Sequence, residues 1–220
     1  MIRKSDEQQA HPSLDQRNNP AMKTIWLAVF FLFLIWSAIE PKDYFTWALE
    51  VAPAVAGLVV LAFTYNSFRL TPLLYTLILL HCIVLIVGGH YTYAEVPLFD
   101  DLKPILGFER NNYDKVGHFM QGFVPAIIAR EILLRKSVFA SAAWRNFFIV
   151  CFCLAFSAFY ELIEWWVAIA AGAGSEAFLG TQGYEWDTQS DMGFALLGAL
   201  LALLILSPLH DRQLAAMQGN

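Results

Sequence analysis

The sequence predicts an all-α, polytopic membrane helix bundle of about six transmembrane helices, with both termini on the cytoplasmic side of a bacterial-type inner membrane. Three observations carry this reading. Of 220 residues, 58% are apolar and only 15% charged, whereas an average soluble domain is about a quarter charged. The apolar residues fall in continuous blocks, which membrane-spanning strands, with their alternation, do not show. The Lys and Arg residues are unevenly divided between alternate connections, as the positive-inside rule requires.

Crossing a hydrocarbon core of about 30 Å takes roughly 20 helical residues. Six blocks approach that length. The first runs from about Thr24 to Ile39, the second from Ala48 to Tyr65 and the third from Pro72 to Tyr93. The fourth, Tyr113 to Leu134, is the least apolar and carries His118, Gln121 and Pro125. The fifth covers Asn146 to Ala171 and the sixth Asp191 to Leu206. The connection from Ala94 to Asn112, with Pro97 and Pro104, is expected to lie along the outer surface.

With the N-terminus inside, the cytoplasmic segments hold Arg3, Lys4, Arg17, Lys23, Arg69, Arg130, Arg135, Lys136, Arg145 and Arg212. The outer segments hold Lys42, Lys103, Arg110 and Lys115. Ten cations against four set the orientation N-in and C-in. Most of the tryptophans fall near the ends of spans, as an aromatic belt does. The organisation that follows is a polar cytoplasmic tail over residues 1–23, a six-helix transmembrane domain over 24–209 and a cytoplasmic C-terminal tail over 210–220. The first apolar block ends without a small-residue cleavage site, so it is expected to stay attached as a span.

Composition also excludes partners. The net charge is -5 and no basic patch is present, which argues against nucleic acid. The lipid bilayer is the expected surrounding. Cys82, Cys151 and Cys153 all lie in apolar blocks and are read as small buried side chains, not as a disulfide framework. His81 and His90 are read as packed and interfacial histidines, and Gly88-Gly89 as a point of close packing.

Ionisable residues within or at the mouth of the last three spans are the informative anomaly. A charge at mid-bilayer costs at least about 2.5 kcal/mol, so such residues face a bundle interior or a wet cavity. Glu161 and Glu164 stand three apart on the fifth span, with Ser157 one turn before. Asp114 and His118 are four apart at the start of the fourth, continued by Gln121, and Asp187 and Asp191 are four apart at the start of the sixth. Each pair shares a helix face. Together with Gln189, these residues form the candidate outward-facing pocket. His118, Glu161, Asp187 and Asp191 could hold a divalent cation, since carboxylates with one imidazole suit Mg²⁺, Mn²⁺ or Zn²⁺.

Three segments carry a family resemblance: Asn111-Asn112-Tyr113-Asp114-Lys115-Val116-Gly117-His118-Phe119, Tyr160-Glu161-Leu162-Ile163-Glu164-Trp165, and the stretch from Phe178 to Met192. In this order they resemble the YjdF-type inner-membrane proteins, over nearly the whole chain after the tail. A looser pattern, Asp-Lys-x-x-His-Phe followed by Glu and by Asp-x-x-x-Asp-Met, is similar to the VanZ-like family linked to glycopeptide-antibiotic resistance. This chain departs from that family, which carries Asn at or beside the place of Met192. Neither resemblance implies a reaction.

Three functional readings remain open. The polar residues could be a structural network joining helices, a transporter or proton relay, or a site for acid/base or metal-assisted chemistry on a lipid-linked or envelope substrate.

Overall fold

The computed structural model describes residues 20–171 and 184–218. Among them are α1 (Pro20–Ser37), α2 (Tyr44–Thr64), α3 (Pro72–Tyr91), a 3₁₀ turn (Tyr93–Glu95), α4 (Pro97–Leu106), α5 (Tyr113–Arg135), α6 (Ala142–Ala171) and α7 (Asp187–Gln218). No strand occurs among the described residues. Gly172, Gly174, Gly180 and Gly183, which the sequence reads as turns of an outer loop, lie outside the described residues.

Local chemistry fixes several helix starts. Asp43 caps α2 by accepting from the Thr46 backbone N–H at 2.7 Å. These hydrogen bonds hold its carboxyl below the usual value of 3.8. Pro72 opens α3, where its missing N–H costs nothing. The N–H of Leu73 then donates to Gln213 Oε1 on α7 at 2.9 Å, so a distant side chain satisfies an orphan donor.

Contacts at the two ends show that α5 crosses the bundle as the other long helices do. At one end, Lys23 lies over the Tyr65 ring, Arg135 donates to the Arg69 carbonyl, and Glu131 binds Thr71 and His210. At the other end, His90 meets the Ser37 carbonyl, Lys42 pairs with Glu95, and Lys115 pairs with Asp187. The first end gathers Lys23, Arg69, Arg130, Arg135 and Lys136, and the positive-inside rule makes it cytoplasmic.

Among the described residues five helices are apolar and long enough to span by composition alone, and α5, 23 residues long between the same two ends, makes a sixth crossing. It can be polar because it lies inside, packed on α3, α6 and α7. Small residues bring α5 and α7 together: a Cβ on Gly122 would overlap the Ala195 backbone, and one on Gly198 would overlap the Phe119 carbonyl. Ala195, Ala199 and Ala202 continue that seam without exposure. Large apolar side chains such as Phe63 and Leu204 point outward, as lipid-facing residues do.

Two expectations are refined and one is corrected. The connection after α3 contains the short α4, ended by Gly107, whose φ of 69° is left-handed. Within it Asp100 is paired with Lys103 at 2.7 Å, which keeps its carboxyl below 3.8. α7 begins four residues earlier than expected, at Asp187, and continues through Pro208 to Gln218. The three cysteines are not all buried. Cys82 and Cys153 are, but Cys151 is exposed, because two steps along a helix turn it to the outer flank.

Candidate functional site

The start of α5 is held rigidly before any candidate ligand appears. Asn111 donates to the Val96 carbonyl at 2.9 Å and accepts from the Tyr113 N–H, and the Tyr113 hydroxyl donates to the Val84 carbonyl. Gly88 and Gly117 leave a slot for the Tyr93 ring, which a Cβ on either would strike. Gly89 lets α3 approach Val51 and Glu50 of α2, so both glycines serve close packing.

On this base α5 presents His118 inward, with carboxylates from three helices around one nitrogen. Nε2 lies 3.4 Å from Asp114 Oδ1, 3.7 Å from Glu161 Oε1 and 4.0 Å from Asp191 Oδ2. The other ring nitrogen, Nδ1, is 3.2 Å from Gln121 Oε1. An amide oxygen accepts only, so Nδ1 carries a proton and Nε2 is the nitrogen turned to the carboxylates, the one that loss of its own proton would turn into a metal ligand. In a tetrahedral site with bonds of about 2.1 Å, adjacent ligand atoms stand about 3.4 Å apart. Ligand atoms of Asp114, His118 and Asp191 all lie within 4.8 Å of one another. Glu161 Oε1 has no hydrogen-bond partner although its side chain is only 8% exposed.

Cations rim this cluster. Lys115 Nζ lies 2.7 Å from Asp187 and 2.5 Å from Asp191, while Arg110 Nη1 lies 2.8 Å from Asp187. Asp187 is therefore engaged by two cations, and Asp114 takes the place it was expected to hold beside His118. Asp191 uses one oxygen for Lys115 and the other toward His118. Gln189 does not join. It is exposed, two residues from Asp187 and so on the opposite flank of α7.

The cluster opens into a cavity of about 670 Å³ lined by α2, α3, α5, α6 and the head of α7. Glu164, Gln121 and His81 reach it, and so does Glu50, which accepts from the Tyr160 hydroxyl at 3.4 Å. Glu50 was missed in the sequence, although a lone carboxylate inside the second apolar block was the same signal that marked Glu161. Arg110, Lys115 and Tyr160 were also missed, because a rim cation or an aromatic within an apolar span is ordinary. His90 packs its ring at a tilt against Trp36, away from the cluster. Beyond Gln121 the lining turns apolar, through Val124, Ile128 and Ile132.

Comparison with known proteins gives this architecture its relatives. Residues 22–212 match a family model described as a predicted membrane protein, DUF2238. The chain is 52% identical over 183 residues to the inner membrane protein YjdF of Escherichia coli (strain K12), covering 83% of this chain and 88% of that protein. No solved structure matches it. With the family model covering most of the chain and a relative so similar along its length, this multi-pass inner-membrane protein belongs to the YjdF-type, DUF2238 family.

Proposed function

We propose that this protein binds a divalent cation in its outward-facing acidic/His pocket and uses it on a lipid-linked or envelope substrate. The observation that carries the reading is the buried Glu161 Oε1, which has no hydrogen bond and faces His118 Nε2 at 3.7 Å. Gln121 occupies Nδ1, so Nε2 is the ring nitrogen available to an ion once its proton leaves. Asp114 and Asp191 complete an oxygen-rich set. Such a set suits Mg²⁺, Mn²⁺ or Zn²⁺. A bound ion would relieve the repulsion among the carboxylates and polarise a phosphoryl or carbonyl oxygen.

A structural network would tolerate amides at these positions, since they keep hydrogen-bonding shape while removing charge. Interhelical polar bonds contribute only about 0.6 kcal/mol on average, and cohesion alone gives little reason for so many ionisable groups. An ion path gains little support either. Along α5 the cavity wall is apolar from Val124 to Ile132, over about 12 Å.

The test is thermal stability in detergent with and without Mg²⁺, Mn²⁺ or Zn²⁺, because an ion bound only by the folded state raises stability, by about 2.7 kcal/mol at a hundred times Kd. Wild type should shift, Glu161→Gln should fold yet lose the shift, and Gln121→Ala should lose much less. No shift in wild type, with Glu161→Gln unimpaired, would establish the structural network instead.

A further inference from the structure

We infer that the cavity is a laterally open groove for one long hydrocarbon chain whose phosphate head sits at the His118 cluster, so that the ligand class is a polyprenyl phosphate. This rests on the cation reading for the head and on independent geometry for the chain.

The groove runs from Arg110 and Asp187 at the outer mouth to Ile132 and Lys136 near the inner end. Along α5, His118 to Ile132 is about 21 Å. A chain confined to one leaflet would stop at about 15 Å, half of the hydrocarbon core. The groove therefore passes the midplane, which a diacyl phospholipid in the outer leaflet does not need. Its walls are hydrocarbon-like: Ala54, Gly57 and Val60 from α2, Val124 and Ile128 from α5, and Phe156 from α6. A Cβ on Gly57 would meet open space. α2 packs on α3 and α6 on α5 and α7, with no extensive α2–α6 contact among the described residues. The gap between α2 and α6 is the side entrance from the bilayer.

A cavity of about 670 Å³ drawn out along α5 has room for one flexible chain. At the mouth, Arg110 and Lys115 stand beside the cation cluster. A phosphate is the head that would satisfy both a divalent ion and a guanidinium. The carboxylates alone would repel it, which is why the head depends on the ion while the chain does not.

The experiment incubates detergent-purified protein with a polyprenyl phosphate or with phosphatidylglycerol, then reads retained lipid by native mass spectrometry. Wild type should keep one polyprenyl phosphate per chain in preference to phosphatidylglycerol. Gly57→Trp should lower retention about tenfold or more while keeping the cation-dependent thermal shift. Val60→Trp, at a half-open position that tolerates bulk, gives the same reading if Gly57→Trp does not fold. Leu204→Trp, on the lipid-facing side of α7, should retain lipid as wild type does. No retention by wild type, equal retention of phosphatidylglycerol, or unchanged retention in both groove variants would overturn the inference. So would a change in oligomer size on filling the groove, which would assign it to a second copy. Retention that falls with Gly57→Trp, in a protein with no cation shift, would support the groove and remove the cation reading alone.

Discussion

His210 Nε2 lies 3.0 Å from Glu131 Oε2 at the cytoplasmic end, and neither side chain has exposed surface. Arg130 Nη1 donates to His210 Nδ1 at 2.9 Å, which makes Nε2 the protonated nitrogen and its N–H the donor to Glu131. Glu131 also accepts from the Thr71 N–H and hydroxyl and from Arg135. One carboxylate thus joins α3, α5 and α7.

Removing that carboxylate should be costly. Glu131→Ala leaves buried donors unanswered and should lower stability by about 3 kcal/mol or more. Glu131→Gln, which keeps two oxygen lone pairs, should cost less. Unfolding of the purified variants measures this, and a loss near the 0.5 kcal/mol of an ordinary surface change would refute it.

Asp114 and Asp187 should separate in their effect on cation binding. Asp114→Asn removes an anionic ligand beside His118 Nε2 and should abolish the thermal shift given by the effective ion. Asp187 is held by Arg110 and Lys115 and should be dispensable for that shift. Equal loss in both variants would return Asp187 to the ligand set. The readout is the same detergent melt with and without metal.

The α5–α7 seam gives a steric prediction. Gly122→Ala forces the helices apart against the Ala195 backbone and should destabilise by about 1–3 kcal/mol. Gly193→Ala meets nothing within 4 Å and gains helix propensity, so it should be neutral or stabilising by up to about 1 kcal/mol. Equal melting temperatures for the two variants would show that the seam is looser than described.

Topology is checked with reporter fusions. Activity after Leu98 and after Ser175 should read as periplasmic, and after Ser141 as cytoplasmic. A cytoplasmic signal at Leu98 would invert the bundle and place the His118 cluster on the inner face.

How far the sequence speaks can be seen residue by residue. The spans were legible because lipid demands unbroken apolar blocks, and even polar α5 was found, its ends agreeing within one residue. His118, Glu161 and Asp191 were legible as charges that lipid would not tolerate. Their common focus on one nitrogen was not, since it depends on helix rotation and on the small-residue seam. The pairing of Asp187 with Arg110 and Lys115 was hidden because a rim carboxylate looks alike whether it serves an ion or a lysine. The Glu131–His210 contact joins residues 79 apart, and no local period announces it. Arg130 reads as an ordinary cation near a cytoplasmic span end, and nothing in the sequence singles out His210.

The polarity of α5 bears on how the chain enters its membrane. Lys115, His118, Gln121, Arg130 and Glu131 of α5 are all buried against neighbours, and in a lone helix each polar side chain left facing lipid opposes insertion, most strongly toward the centre. As it leaves the ribosome, α5 is a poor substrate for partition into lipid, because its partners Asp187, Asp191 and His210 have yet to be synthesised. Biogenesis must therefore keep α5 sheltered until α7 arrives, and a nascent chain stopped after α6 would expose it to the quality-control machinery of the membrane.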